Sequence, residues 1–213
     1  MVIGLGRFGT AVATKLVELG VEVLGLDNNQ SLVDIWADRL THVRVADATS
    51  TATLEQLGIT EFDAAVVAIG SDIESSVLAT SALVDLGVRN VWAKAITAQH
   101  GRILERVGAH HVVYPEREMG ERVAHIVNGD VVDYFEFDEH FAMASVQAPV
   151  TLDEAVLGDS GLRDRFGVTV VYIKPLGGHF THASADTVVH KGDLLIVAGQ
   201  NEDLERFADF TSA

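Results

Sequence analysis

Three glycines, an arginine and an aspartate near the N-terminus have the types and spacing to hold a phosphorylated adenosine. Gly4-Leu5-Gly6-Arg7-Phe8-Gly9 follows an apolar run and opens a stretch with apolar residues at helical intervals. A G-x-G-x-x-G string carries meaning in that context. Gly4 permits the tight turn, Gly6 lets a pyrophosphate approach the backbone, and Gly9 lets the helix lie close to the sheet. The start of the helix supplies amide donors and partial positive charge. Asp27 ends the next apolar run, where a carboxylate accepts both ribose hydroxyls and repels a 2′-phosphate, so adenosine ligands fit and NADP does not. The same acid also reads as a cap for the segment from Asn28 onward. Arg7 can fork two phosphate oxygens. A terminal phosphate needs such a charge and the nicotinamide half of a dinucleotide does not, although a solvated surface arginine reads the same way.

Other candidate chemistry is weaker. Gly158-Asp159-Ser160-Gly161 resembles the loop around a serine nucleophile, yet that chemistry needs a histidine base and an aspartate orienter in a fixed frame, and a turn before the helix LRDRF explains the string. The nine histidines lack metal-ligand spacing: His110 and His111 face opposite sides of a strand, and His179 and His182 have no supporting ligand pattern. With no cysteine in the chain, disulfides, thiolate nucleophiles and iron–sulfur clusters are excluded. A dehydrogenase needs an acid or base and a carbonyl-polarising group beside the nicotinamide, and the C-terminal stretch leaves little room for such a pocket. The chain therefore reads as a ligand-binding regulator rather than an enzyme.

The elements that must position these residues repeat one rhythm up to residue 114. Strands are expected near 1–4, 22–27, 42–46, 64–69, 90–94 and 111–114, with helices near 8–19, 31–39, 51–57, 72–86 and 98–107. Gly20, Gly58, Gly87 and Gly108 fall at the expected helix ends. Such alternation makes a doubly wound parallel sheet joined by right-handed crossovers. After Pro115 a further helix leads to VVDYFEF, a half-exposed strand. Strands near 142–148, 168–174 and 193–198, an LGGH connection and a closing helix at NEDLERFADF complete a small α+β module. The length of 213 residues suits two domains.

No apolar run approaches a membrane span, and MVIGLGRFG enters the glycine loop without the features of a secretory signal. A soluble, cytoplasmic chain is expected. The formal charge of −16, without a basic cluster, argues against nucleic acid and anionic lipid as partners.

Taken together, VIGLGRFG, Asp27, VADAT (45–49), VVAIG (66–70), VWAKA (91–95), YPEREMG (114–120) and KGDLLIVAG (191–199) resemble the RCK regulators of potassium transport, the KtrA/TrkA-type cytosolic subunits. The resemblance covers essentially the whole chain. It implies a Rossmann-like RCK-N domain over 1–129, including a crossover helix, and an RCK-C (TrkA-C) domain over 130–213. It implies homodimers assembled into an octameric ring beneath a membrane-embedded potassium-translocating subunit of the KtrB or TrkH type, so that the chain sits at the inner face of the cell membrane. ATP then favours the conducting shape and ADP the closed one.

Position by position, the resemblance implies that Gly4, Gly6, Arg7 and Gly9 hold phosphates, Asp27 and Asn28 the ribose, and Asp47 and Ala48 the adenine edge, with Phe8, Ile69 and Gly70 also in the site. Lys94 adds positive charge at the phosphate end, and Glu116 lies at the dimer seam, able to share Mg²⁺ or Ca²⁺ with its twin. Both also read blandly, as a strand-end lysine and a first-turn acid. Some relatives bind cyclic di-AMP between paired C-terminal domains, and Arg163, Val170 and Ile173 can play the parts of arginine and apolar floor, though a core strand after a polar helix explains them equally. HASAD (182–186) lacks a proline often found there. An NAD(H)-binding TrkA-type regulator or a small NAD-dependent oxidoreductase is the competing expectation.

Overall fold

The computed structural model describes residues 1–128 and 131–212. They divide into two compact units, Met1–Arg117 and Glu118–Ala213. The expected boundary between 129 and 130 lies outside the described residues.

In the first unit, strands β1 (Val2–Ile3), β2 (Leu24–Asp27), β3 (His42–Val45), β4 (Ala65–Val67), β5 (Val91–Lys94) and β6 (His111–Val113) alternate with helices α1 (Arg7–Glu18), α2 (Gln30–Trp36), α3 (Thr51–Gln56), α4 (Ile73–Asp85) and α5 (Ala98–Arg106). All the strands pair in parallel, in the order β3-β2-β1-β4-β5-β6. The chain winds outward from β1 through β2 to β3, then returns to the other side of β1 at β4, and ligand sites of such sheets open at that reversal. Both faces are covered, as parallel sheets require. Ile3, Leu26, Val67, Leu83 and Leu104 pack on one side, and Val2, Leu5, Ala13 and Val33 on the other. Val2 and Ile3 are neighbours in β1 yet belong to opposite clusters, the two-residue alternation of a strand. Gly20, Gly58, Gly87 and Gly108 have positive φ at the expected turns.

Helix α6 (Pro115–Val127) starts in the first unit and ends in the second. Its later turns are tied to the second unit by a two-pronged Arg122–Asp133 pair at 2.6–2.7 Å and by His125 stacked on Tyr134 at 3.9 Å. The second unit continues with β7 (Asp133–Glu136), β8 (Phe141–Gln147), β9 (Ala155–Val156), α7 (Leu162–Phe166), β10 (Thr169–Lys174), β11 (Thr181–His182), β12 (Val188–Val189), β13 (Leu194–Gln200) and α8 (Asn201–Ser212). An antiparallel sheet runs β11-β10-β13-β8-β7, and β12 pairs with β9. The short strands β9, β11 and β12 carry too few residues for a periodic signal. Tyr134 is buried while Phe135 is exposed, the half-wet strand expected of VVDYFEF. Leu204, Phe207 and Ala208 form the buried stripe of α8. No helix among the described residues is long and apolar enough to cross a membrane.

Candidate functional site

A cavity of about 610 Å³ opens on the first unit beside the β1/β4 reversal. Gly4 turns the chain there with φ +93°, a conformation rare for other residues, and its N–H donates to the Leu26 carbonyl at 2.8 Å. Gly9 lies beneath the cavity rather than in its wall. A Cβ on Gly9 would sit 1.9 Å from the Gly4 oxygen, so only glycine lets α1 seat against the loop. Gly6 differs: nothing lies within 4 Å of where its Cβ would be, and it lines the cavity. Folding does not require a glycine at that position, whereas close approach of a ligand to the backbone does.

The helix caps sharpen the contrast. Side chains of Asn29, Ser50, Asp72 and Thr97 accept amides at the starts of α2, α3, α4 and α5. Helix α1 begins at Gly6 with no side-chain cap and no acid in its first turn. The first amides of a helix have no partner within it, and here the residues that carry them, Arg7 and Phe8, line the cavity. An uncapped helix start of this kind is able to receive an anion.

Asp27 fills the capping role expected of it. One carboxylate oxygen accepts the Leu5 N–H at 2.7 Å and the other the Asn29 N–H at 2.9 Å, so it braces the glycine loop and begins the turn into α2. Each oxygen keeps further acceptor capacity, and Asp27 and Asn28 both line the cavity. Asp47, beyond β3, accepts the amide and hydroxyl of Thr49 at 2.9 and 2.7 Å. These bonds, the hydroxyl first, hold its carboxyl below the ordinary range. Ala48, Ile69 and Gly70 complete the expected wall.

At the far end Lys94 is almost buried. Its Nζ lies 2.5 Å from Glu116 Oε1 and 5.7 Å from the centre of the Phe8 ring. The Lys94 hydrogen bond is the main reason that the Glu116 carboxyl lies below its usual pKa, with smaller contributions from the charges of Lys94 and Arg7. Glu116 is one carboxylate, and among the described residues no three His, Cys, Asp or Glu side chains gather as a metal site. A shared cation would take its other oxygen ligands from elsewhere. Thr49, Asp72 and Ser75 also line the cavity and were missed. The cap pattern of Asp72 and Ser75 reads as helix chemistry, and only the strand order brings it to this opening.

The second-ligand candidates do not stay together. Arg163 and Val170 line a cavity of about 430 Å³ in the second unit, with the Arg163 guanidinium donating to the Thr169 hydroxyl at 3.0 Å. Ile173 does not line it and is buried in the core. Regular alternation would put Val170 and Ile173 on opposite faces. A register shift between Val170 and Tyr172 sets them opposite Val197 and Leu195, on one face, where Ile173 packs inward. Ser160 donates its hydroxyl to the Leu157 carbonyl at 2.6 Å, as the turn reading requires. His110 accepts the Val91 N–H, and His111 stacks on Trp92.

The TrkA-N domain family matches residues 1–115 and the TrkA-C domain family residues 149–212. The chain is 38% identical to the Ktr system potassium uptake protein C of Bacillus subtilis (strain 168), over 97% of this chain and 94% of that protein. It is 34% identical to the Ktr system potassium uptake protein A of Vibrio alginolyticus, over 95% and 93% respectively. Among solved structures, the GsuK channel bound to NAD superposes with a TM-score of 0.69 at 16% identity, covering 100% of this chain and 39% of that one, which is a likeness of fold.

Proposed function

The chain belongs to the TrkA-N/TrkA-C family of potassium-uptake proteins, and from that premise we propose that it is a regulatory subunit that senses ATP against ADP and gates a membrane potassium transporter. The supporting observation is the convergence of the residues expected at the nucleotide, all but Gly9, on one cavity at the uncapped start of α1. The α1 amides and Arg7 hold phosphate, Asp27 and Asn28 the ribose, and Asp47 and Ala48 the base edge. Lys94 and Glu116 stand at the phosphate end, where a divalent cation would screen charge among the phosphates and Glu116.

Arg7 is the discriminating group. A ligand shifts a conformational equilibrium only through differential affinity, and Arg7 gains an acceptor from a terminal phosphate that ADP lacks. One charge-assisted hydrogen bond contributes about 1.5–3 kcal/mol, comparable with the ~1–3 kcal/mol typical of allosteric coupling. Met119, Val123 and Ile126 leave an exposed apolar stripe on α6, which supports pairing through this helix and assembly into a ring under a KtrB- or TrkH-type subunit at the inner membrane face. Arg163 and Val170 make the second cavity a candidate for cyclic di-AMP.

Calorimetry with ATP, ADP, NAD⁺ and NADH tests the reading. Arg7→Ala should cut the preference for ATP over ADP about tenfold, as one lost charged hydrogen bond predicts, and change ADP binding less. Equal losses for both would remove Arg7 from the switch. The GsuK neighbour bound to NAD favours a second reading, an NAD(H)-binding regulator or small oxidoreductase. Tight NADH binding with turnover of a carbonyl compound would select the oxidoreductase.

A further inference from the structure

Lys94 is the only buried lysine or arginine among the described residues, and its partner is unlike it in every respect. The Glu116 side chain is 66% exposed against 10% for Lys94, and it belongs to the first turn of α6, whereas Lys94 ends β5 inside the sheet. The ammonium is further confined by the Phe8 ring and by Gly70, where a Cβ would come within 3.3 Å of Nζ. A buried cation held by one carboxylate requires a replacement anion if that carboxylate leaves. Phe8 and Gly70 line the cavity from the glycine loop and from the turn after β4, and Glu116 lines it from the first turn of α6. Glu116 alone is carried by the helix that continues into the second unit.

We infer that the Lys94–Glu116 ion pair is a latch: Glu116 occupies the phosphate end of the cavity, and a nucleotide phosphate reaching Lys94 displaces it and releases the first turn of α6. This rests on the nucleotide reading above and adds to it a competitor built into the chain. The exchange is favourable because the ammonium keeps an anionic partner throughout, while Glu116, already 66% exposed, is readily hydrated on leaving. Affinity for phosphates is thereby set against the hold on α6, so binding energy is converted into freedom of the helix that links the two units.

The test uses the full-length protein in EDTA, so that no divalent cation can bridge Glu116 to phosphate, and compares wild type with Glu116→Gln. Calorimetry with ADP and ATP should show the variant binding about tenfold tighter the nucleotide whose phosphates reach Lys94, because no charged competitor is displaced. Hydrogen exchange of the 115–120 amides should rise in ligand-free Glu116→Gln, and in wild type on adding nucleotide. Unchanged exchange in the ligand-free variant overturns the latch whatever binds. Equal or weaker nucleotide binding in the variant also overturns it, and makes Glu116 a ligand of the nucleotide. If exchange rises but wild type binds none of the nucleotides, the contact on α6 stands and the nucleotide reading falls.

Discussion

The two cavities differ in how their walls are built. Every residue assigned to the wall of the first lies at or just beyond the end of a parallel strand, or in the opening turn of a helix. The second draws on α7, of five residues, and on the start of β10, just before a register shift. Residue spacing translates directly into position in the first case, because parallel strands in register deliver their ends to one edge of the sheet. In the second a single displaced residue reverses which side chains share a face. A motif is informative where the backbone that carries it has only one way to run.

The largest effect expected separates the glycines of the first cavity. Gly9→Ala should destabilise the protein by about 3 kcal/mol in urea denaturation, the upper part of the usual range for overpacking, since its Cβ meets a backbone oxygen. Gly6→Ala should leave stability within about 0.5 kcal/mol and still weaken ATP binding. Similar stabilities for the two variants would break the distinction between a glycine kept for folding and one kept for a ligand.

Asp27→Ala should come next, lowering ATP and ADP affinity by about thirtyfold or more through loss of a charged acceptor. It should leave cyclic di-AMP binding unchanged, because Asp27 lies only in the first cavity. Arg163→Ala is the mirror experiment: cyclic di-AMP binding, measured by calorimetry, should fall about tenfold with ATP untouched. Crossed effects would mean that the two cavities are one coupled site.

The smallest effect concerns the tie between α6 and β7. Arg122, chiefly through its hydrogen bond, holds the Asp133 carboxyl below its ordinary value of 3.8. A depressed carboxylate stabilises the fold above that value and loses its contribution as the pH falls through the folded pKa. The Tm difference between wild type and Arg122→Gln should therefore be small at pH 7, because the pair is half exposed, and should close below about pH 4. A difference that persists in acid would show that packing rather than charge holds the joint.

Much of the first unit was legible because strands and helices write their periods into the sequence. The pattern placed the six parallel strands, their helices and the turn glycines within a few residues. The spacing of Gly4, Gly6, Gly9 and Asp27 pointed to this loop because backbone geometry there depends on neighbours in the chain, and Asp27 reaches it through adjacent parallel strands. What depended on distant packing was not legible. Asp72 and Ser75 join the cavity only because β4 returns beside β1, and Ile173, which a register shift sets on the same face as Val170, packs into the core rather than lining the second cavity. The pairing of Lys94 with Glu116 joins residues whose separate readings were each ordinary. Local sequence determines what an element is and which way it faces. Which charge lies opposite which is decided only when the sheet has closed and water has been excluded from between them.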